Sequence, residues 1–234
     1  MNEFVQAFVA DSLFFGVVIT LLTYQFGMFL KDRFKLAIFN PIVVSIVCII
    51  VVLLVFRIDV ADYTAGAQYI NYLLTPATVC LAVPLYEKVA LLKKHMVAIL
   101  VGIFSGVLSS AISIWLMSMV FGLGHTEYVT LLPKSITTAI GIGLSEEYGG
   151  IVTITVAAIV ITGNLGNMMA EFICRVCRIE EPIAKGIAIG TSSHAAGTAK
   201  AIEMGDVEGA MSGLAIAVSG LMTVVVSMIF VNLW

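Results

Sequence analysis

Apolar residues in this chain come in long runs, and the polar and helix-breaking residues that interrupt them fall at a few definite places. A bilayer core about 30 Å thick is crossed by about 20 residues of helix rising 1.5 Å each. Four stretches read as spans on this measure: Ser12 to Leu30, Pro41 to Phe56, Met96 to Phe121 and Met211 to Leu233. A fifth, Gly150 to Ile173, is long enough but carries Asn164 and Asn167 among its glycines. Small and polar residues in such a segment face neighbouring helices rather than lipid.

Three further apolar stretches are interrupted. They are Ala67 to Leu85 with Pro76 and Pro84, Tyr128 to Leu144 with Pro133, Gly141 and Gly143, and Ile183 to Met204 with Gly186, Gly190 and Gly197. Proline or clustered glycine frees backbone groups inside a membrane, which is tolerable only where protein or a watery cavity satisfies them. Broken or re-entrant helices follow, with breaks expected at Pro76, Pro84, Pro133 and Gly190.

Composition agrees. Of 234 residues, 60% are apolar and 12% charged, and mean hydropathy is +1.08. Soluble domains carry about 45–50% apolar and about 25% charged residues, which excludes a water-soluble enzyme or a nucleic-acid binder. The formal net charge of -3 gives no polyanion-binding signature. Placement of charge is more informative. Lys31, Arg33, Lys35, Lys88, Lys93, Lys94, Arg175, Arg178 and Lys185 all fall on one side if Ala67 to Leu85 crosses and the two later interrupted segments each enter and leave on one side. Both chain ends then lie outside, with Glu3, Asp11, Arg57, Asp59, Asp62 and Glu127. The first run lacks a basic region before it and a cleavage site after it, so it reads as a retained span. The expected fold is an all-α polytopic membrane domain of about six crossing helices plus two re-entrant segments. Eight crossings is the alternative, if both interrupted segments traverse.

A constant spacing puts Pro76, Pro133 and Gly190 in register, together with Thr78, Ser135 and Ser192. Gly106, Gly163 and Gly220 also coincide, preceded by Ser105, Thr162 and Ser219. After two spans in residues 1–66, candidate repeat units occupy 67–127, 128–182 and 183–234 of a single domain. The second and third have opposite orientation, an inverted repeat, which is a recurring plan of secondary transporters.

Candidate chemistry lies at the interruptions. Lys134, Ser135, Thr137 and Thr138 flank Pro133, and a cation there costs at least a few kcal/mol unless it is paired or hydrated. It either snorkels to the interface or compensates an anionic substrate. Residues 190–200 hold Ser192, Ser193, His194, Gly197 and Thr198, and a half-helix starting near Ser192 or Ser193 would aim its positive end at an anion such as a small carboxylate. His194 either takes part in proton coupling or is a buried histidine holding the breaks together. Glu203, Asp206 and Glu208 read as a loop capping the last span, and Glu146 and Glu147 as an outer loop. Cys174 and Cys177 form a lone CxxC with no second ligand pair, hence ordinary thiols and no metal site. No hydrolase elbow or Walker motif occurs, so neither an enzyme nor an ATP-driven pump is expected, and no cofactor.

The motifs Asn40-Pro41, Leu73-Leu74-x-Pro76-Ala77 with Pro84-Leu85-Tyr86, Leu132 to Thr138, and Gly190 to Ala199 running on to Glu208-Gly209-Ala210 make the chain resemble the LrgB/CidB family of bacterial membrane proteins, which is related to the plastid glycolate/glycerate transporter. Many relatives carry proline where this chain has Ala139, and some lack a lysine equivalent to Lys134. The resemblance implies a multi-pass protein of the bacterial plasma membrane with one of two functions. One is transport of small monocarboxylates such as pyruvate, glycolate or glycerate. The other is antiholin-like control of murein hydrolase activity and cell lysis with a smaller LrgA/CidA-type membrane partner. Glycine-rich polar breaks at matching positions favour the carrier, with a homodimer as the expected assembly.

Overall fold

In a computed structural model the described residues are 12, 14–34, 39–73, 76, 79–80 and 82–234; side chains at 82, 84 and 85 are not described. Lys35, Leu74, Ala77, Thr78, Glu3 and Asp11, which carry part of the register and charge pattern, lie outside the described residues. All regular structure among the described residues is helical. They form two compact units, one ending at Cys80 and one beginning at Leu81.

The first unit holds α1 (Phe15–Phe34), α2 (Pro41–Phe56) and α3 (Val60–Asn71). Asn40 starts α2 by accepting the Ile42 amide at 2.9 Å, with Pro41 at the first helical position, where a missing N–H costs nothing. Asp59 caps α3 through the Ala61 amide in the same way. Gly27 lets α1 approach α2 closely, since a Cβ there would sit 2.8 Å from the Pro41 Cα. Beside it Thr23 and Ser45 exchange a hydrogen bond at 2.8 Å, and Thr20 meets the Tyr63 hydroxyl at 2.9 Å. Hydroxyls and glycine join these helices, with the Phe14 and Tyr69 rings in contact, centroids 5.6 Å apart.

The second unit holds α4 (Ala82–Glu87), α5 (Val89–Phe121), α6 (His125–Leu131), α7 (Thr138–Glu147), α8 (Val152–Val176), α9 (Pro182–Met204) and α10 (Asp206–Phe230). Val89–Phe121, Val152–Val176 and Asp206–Leu233 are long and apolar enough to cross a membrane. Pro41–Phe56 is a shorter apolar helix. Phe15–Phe34 has the length, but Tyr24, Gln25 and the terminal Lys31-Asp32-Arg33 dilute its hydropathy and it is not among the three. The protein is an all-α membrane protein. Pro84 stands in the first turn of α4, where proline is tolerated.

The straight helix α8 serves as a ruler for the two interrupted segments. Near its start the Thr155 hydroxyl donates to the Thr130 carbonyl at 2.8 Å and lies 2.7 Å from the Ser145 hydroxyl. Residues 130 and 145 are therefore level, and the chain between them turns back through the non-helical residues 132–137. A turn deeper, Gly141 lies beside both Ile159 and the Pro133 carbonyl. The α6–α7 pair is thus a hairpin whose tip carries Pro133.

Approached from the other end of α8, Ala170 and Cys174 cluster with Ile189 and Ala201. Twelve residues of straight helix would separate Ile189 from Ala201 by about 18 Å. Instead α9 folds back at His194, whose φ of 41° and ψ of -137° are non-helical. Gly197 consequently packs against Ile189, and Gly166 of α8 against Ser193. The interruption expected at Gly190 is displaced to His194. Gly190 is helical, and its missing side chain admits the Ser212 carbonyl and the Ala215 methyl of α10 instead.

The hairpins enter from opposite ends of α8 and their tips meet near Ile159. Helix α10 gives the same order: Tyr128 donates to the Phe230 carbonyl at its carboxy end, while Gly186 lies against Glu208 and Met211 at its amino end. Element bounds recur as well. The starts of α6 and α9 (His125, Pro182), the starts of the returning limbs (Thr138, Ala195) and their ends (Glu147, Met204) are all separated by the interval that registers Pro133 with Gly190.

Candidate functional site

The hairpin tips, α5, α8 and the first limb of α9 border an open cavity of about 940 Å³. At the tip end stand Lys134 and Ser135 from one hairpin and Thr191, Ser192 and Ser193 from the other. Lys134 is half-buried, and its Nζ donates to Ser135 Oγ at 2.8 Å. Ser135 Oγ in turn lies 3.2 Å from Ser110 Oγ of α5. Among the described residues no carboxylate comes within 4 Å of the Lys134 ammonium. Ser192 and Ser193 exchange a hydrogen bond at 3.0 Å on the facing tip. Both returning limbs, α7 and the second half of α9, start at the tips, so the positive ends of their dipoles converge there.

The other expected site residues are placed differently. Thr137 stands at the N-cap position of α7 without a side-chain capping hydrogen bond and Thr138 opens the helix, both half-buried, and neither is among the residues lining the cavity. His194 is buried behind the tip, its Nε2 3.0 Å from the Ile159 carbonyl. The contact ties the second break to α8 at Ile159, the residue that the first hairpin also touches through Gly141. Thr198 returns a hydrogen bond to the His194 carbonyl at 2.9 Å and meets Ser212 of α10 at 2.7 Å. Gly197 gives the second hairpin room to close on Ser193 and Ile189. Pro76 is described without its neighbours on either side.

One wall was not expected from the motifs. Ser105, Ser109 and Ser113, with Ser110 beside them, line the cavity from α5. Their spacing of four places them on one helical face, and Gly102 and Gly106 share it. That periodicity is written in the Met96 to Phe121 run, but attention to helix breaks passes over it. On this face Gly106 seats Thr191, its missing Cβ 2.8 Å from the threonine methyl. Gly163 similarly seats His194 and Ala196, and Gly220 seats Ile140. The three glycines that fall in register along the sequence each receive a side chain from an interrupted segment.

Chemically, this is an ammonium with no carboxylate within 4 Å among the described residues, set among hydroxyl groups in a mostly apolar cavity. Such a constellation suits one carboxylate, held by a charge-assisted hydrogen bond from Lys134 and by serine donors opposite.

No solved structure matches the chain. Curated relatives do. Holin-like protein CidB of Staphylococcus epidermidis is 34% identical over 99% of this chain and 96% of its own length. Holin-like protein CidB of Staphylococcus aureus is 36% identical over the same shares. Antiholin-like protein LrgB of Bacillus mycoides is 37% identical over 93% of this chain and 95% of its own. Residues 20–233 match the LrgB-like family, and the chain belongs to it.

Proposed function

We propose that the protein is a carrier of small monocarboxylates, of the size of pyruvate or glycolate, working by alternating access in a bacterial plasma membrane. The observation that carries this reading is the Lys134 ammonium at the hairpin tips, in a cavity wall with hydroxyls and, among the described residues, no carboxylate within 4 Å of it. A fixed cation there is costly unless an anion or water completes it. Two hairpins entering from opposite ends and meeting at one site, with bounds that repeat at a constant interval, support an inverted repeat, in which each half gates one side. Ser135 and Ser192 or Ser193 would bind the carboxylate from the two repeats, and Thr137, Thr138, His194, Gly197 and Thr198 would hold the tips that present them.

Titration calorimetry of the purified protein with pyruvate tests the site. Saturable binding weakened at least tenfold by Lys134→Gln is expected, the size of one charge-assisted hydrogen bond. Equal binding by wild type and variant would remove Lys134 from the site.

The relatives' names favour a second reading, a holin-like or antiholin-like regulator of murein hydrolase activity and lysis acting with an LrgA/CidA-type partner. A carrier and a regulator differ in what they let pass. A carrier passes no large solute, whereas a holin-like assembly releases trapped dyes far larger than pyruvate.

A further inference from the structure

Polarity in the cavity is sorted along its length. The hydroxyls and Lys134 crowd the tip end. Toward the other end the walls are Ile99 and Gly102 of α5, Leu165 and Met169 of α8, and Ile187 and Ala188 of α9. Polar groups return only at the far limit, with His95 and Glu181. Levels along the helices fix this order. Ser110 meets Ser135, Gly106 meets Thr191 and Gly102 meets Ile187, so α5 and the first limb of α9 run side by side in the same direction. From Ser105 to Ala98 the apolar section runs about 10 Å at 1.5 Å per residue.

A two- or three-carbon acid bound at Lys134 would leave that section unfilled. At about 30 Å³ per water molecule, a cavity of about 940 Å³ is far larger than such an acid, and its walls offer that water few partners. Pockets of this size hold ligands with a substantial apolar body fixed by a few polar contacts.

We infer that, beyond acids of the size of pyruvate, the site takes monocarboxylates with an apolar chain longer than three carbons, the carboxylate at Lys134 and Ser135 and the chain lying along Gly102, Leu165 and Ala188. The inference rests on the carboxylate reading of the site and specifies its substrate class. Burial of each methylene strengthens binding about three- to fourfold, so selectivity for longer chains rises steeply until the apolar section is filled. Small residues at Gly102 and Ala188 leave the width for the chain.

The test is competition by straight-chain carboxylates from acetate to octanoate against a labelled short acid, on the full chain in nanodiscs. Affinity rising about three- to fourfold per carbon over several carbons is expected. Ala188→Leu should lower the octanoate-to-propionate affinity ratio at least tenfold; Gly102→Leu is the second variant should the first fail to fold. Affinity flat or falling with length overturns the inference while leaving a short-acid carrier intact. Octanol competing as well as octanoate, or octanoate binding unchanged in Lys134→Gln, also overturns it and marks an acyl-chain groove. Failure of every acid, short or long, overturns it together with the carboxylate reading.

Discussion

Lys134 and His194 are both polar groups at a hairpin tip, yet they face different surroundings. Lys134 lines the cavity and has a serine for company; His194 is turned into the protein and bonded to the Ile159 carbonyl. Replacing His194 by Ala therefore removes a buried hydrogen bond to a carbonyl that keeps its helical partner, at a cost of about 0.5–1.5 kcal/mol. Uptake should fall through loss of folded carrier. The melting temperature in detergent should drop clearly, while substrate affinity of the remaining folded protein stays close to wild type. Unchanged stability with lost affinity would instead move His194 into the binding site. His194→Gly should melt above His194→Ala. A φ of 41° is strained for any residue with a Cβ, at about 1–3 kcal/mol, and glycine alone relieves it. Equal melting of the two variants would deny the strained turn.

At the scale of elements, glycine and proline in apolar segments have two uses, and composition does not distinguish them. Pro133 sits in a break. Gly190 serves close packing, and the chain turns four residues later at a histidine, which no helix-breaking rule selects. Adding a methyl at Gly190 puts it against the Ser212 carbonyl, backbone that cannot move aside cheaply. Gly190→Ala should cost about 1–3 kcal/mol, read as a lowered melting temperature. Wild-type melting would mean the two helices are looser than described. The first hairpin depends on a different device, the Thr155 hydroxyl that joins Thr130 to Ser145. Thr155→Val keeps the shape, strands the Thr130 carbonyl and should destabilise by about 1–3 kcal/mol. Apolar runs and their interruptions were enough to foresee two folded-back segments and a break at Pro133, but they put the second break at Gly190 where the chain turns at His194. They could not foresee that Ser110 of α5 would complete the Lys134 and Ser135 cluster, because that contact is tertiary. The serine spacing on α5 was legible, but only to a search for polar helical faces.

For the molecule as a whole, membrane residence follows from composition alone, while function depends on how two distant tips are brought together. Hairpins from opposite ends of α8 bring their tips to one cavity, as the proposed internal repeat would require. Transport of a carboxylate would reach cell lysis indirectly, through metabolism or membrane energetics. The most direct measurement is uptake of labelled pyruvate into proteoliposomes containing only this protein, with a large trapped dye as leak control. Saturable uptake, blocked by competing carboxylates, diminished by Lys134→Gln and without loss of dye, is the expected result. Release of the dye, or no uptake by protein that is folded and inserted, would contradict it.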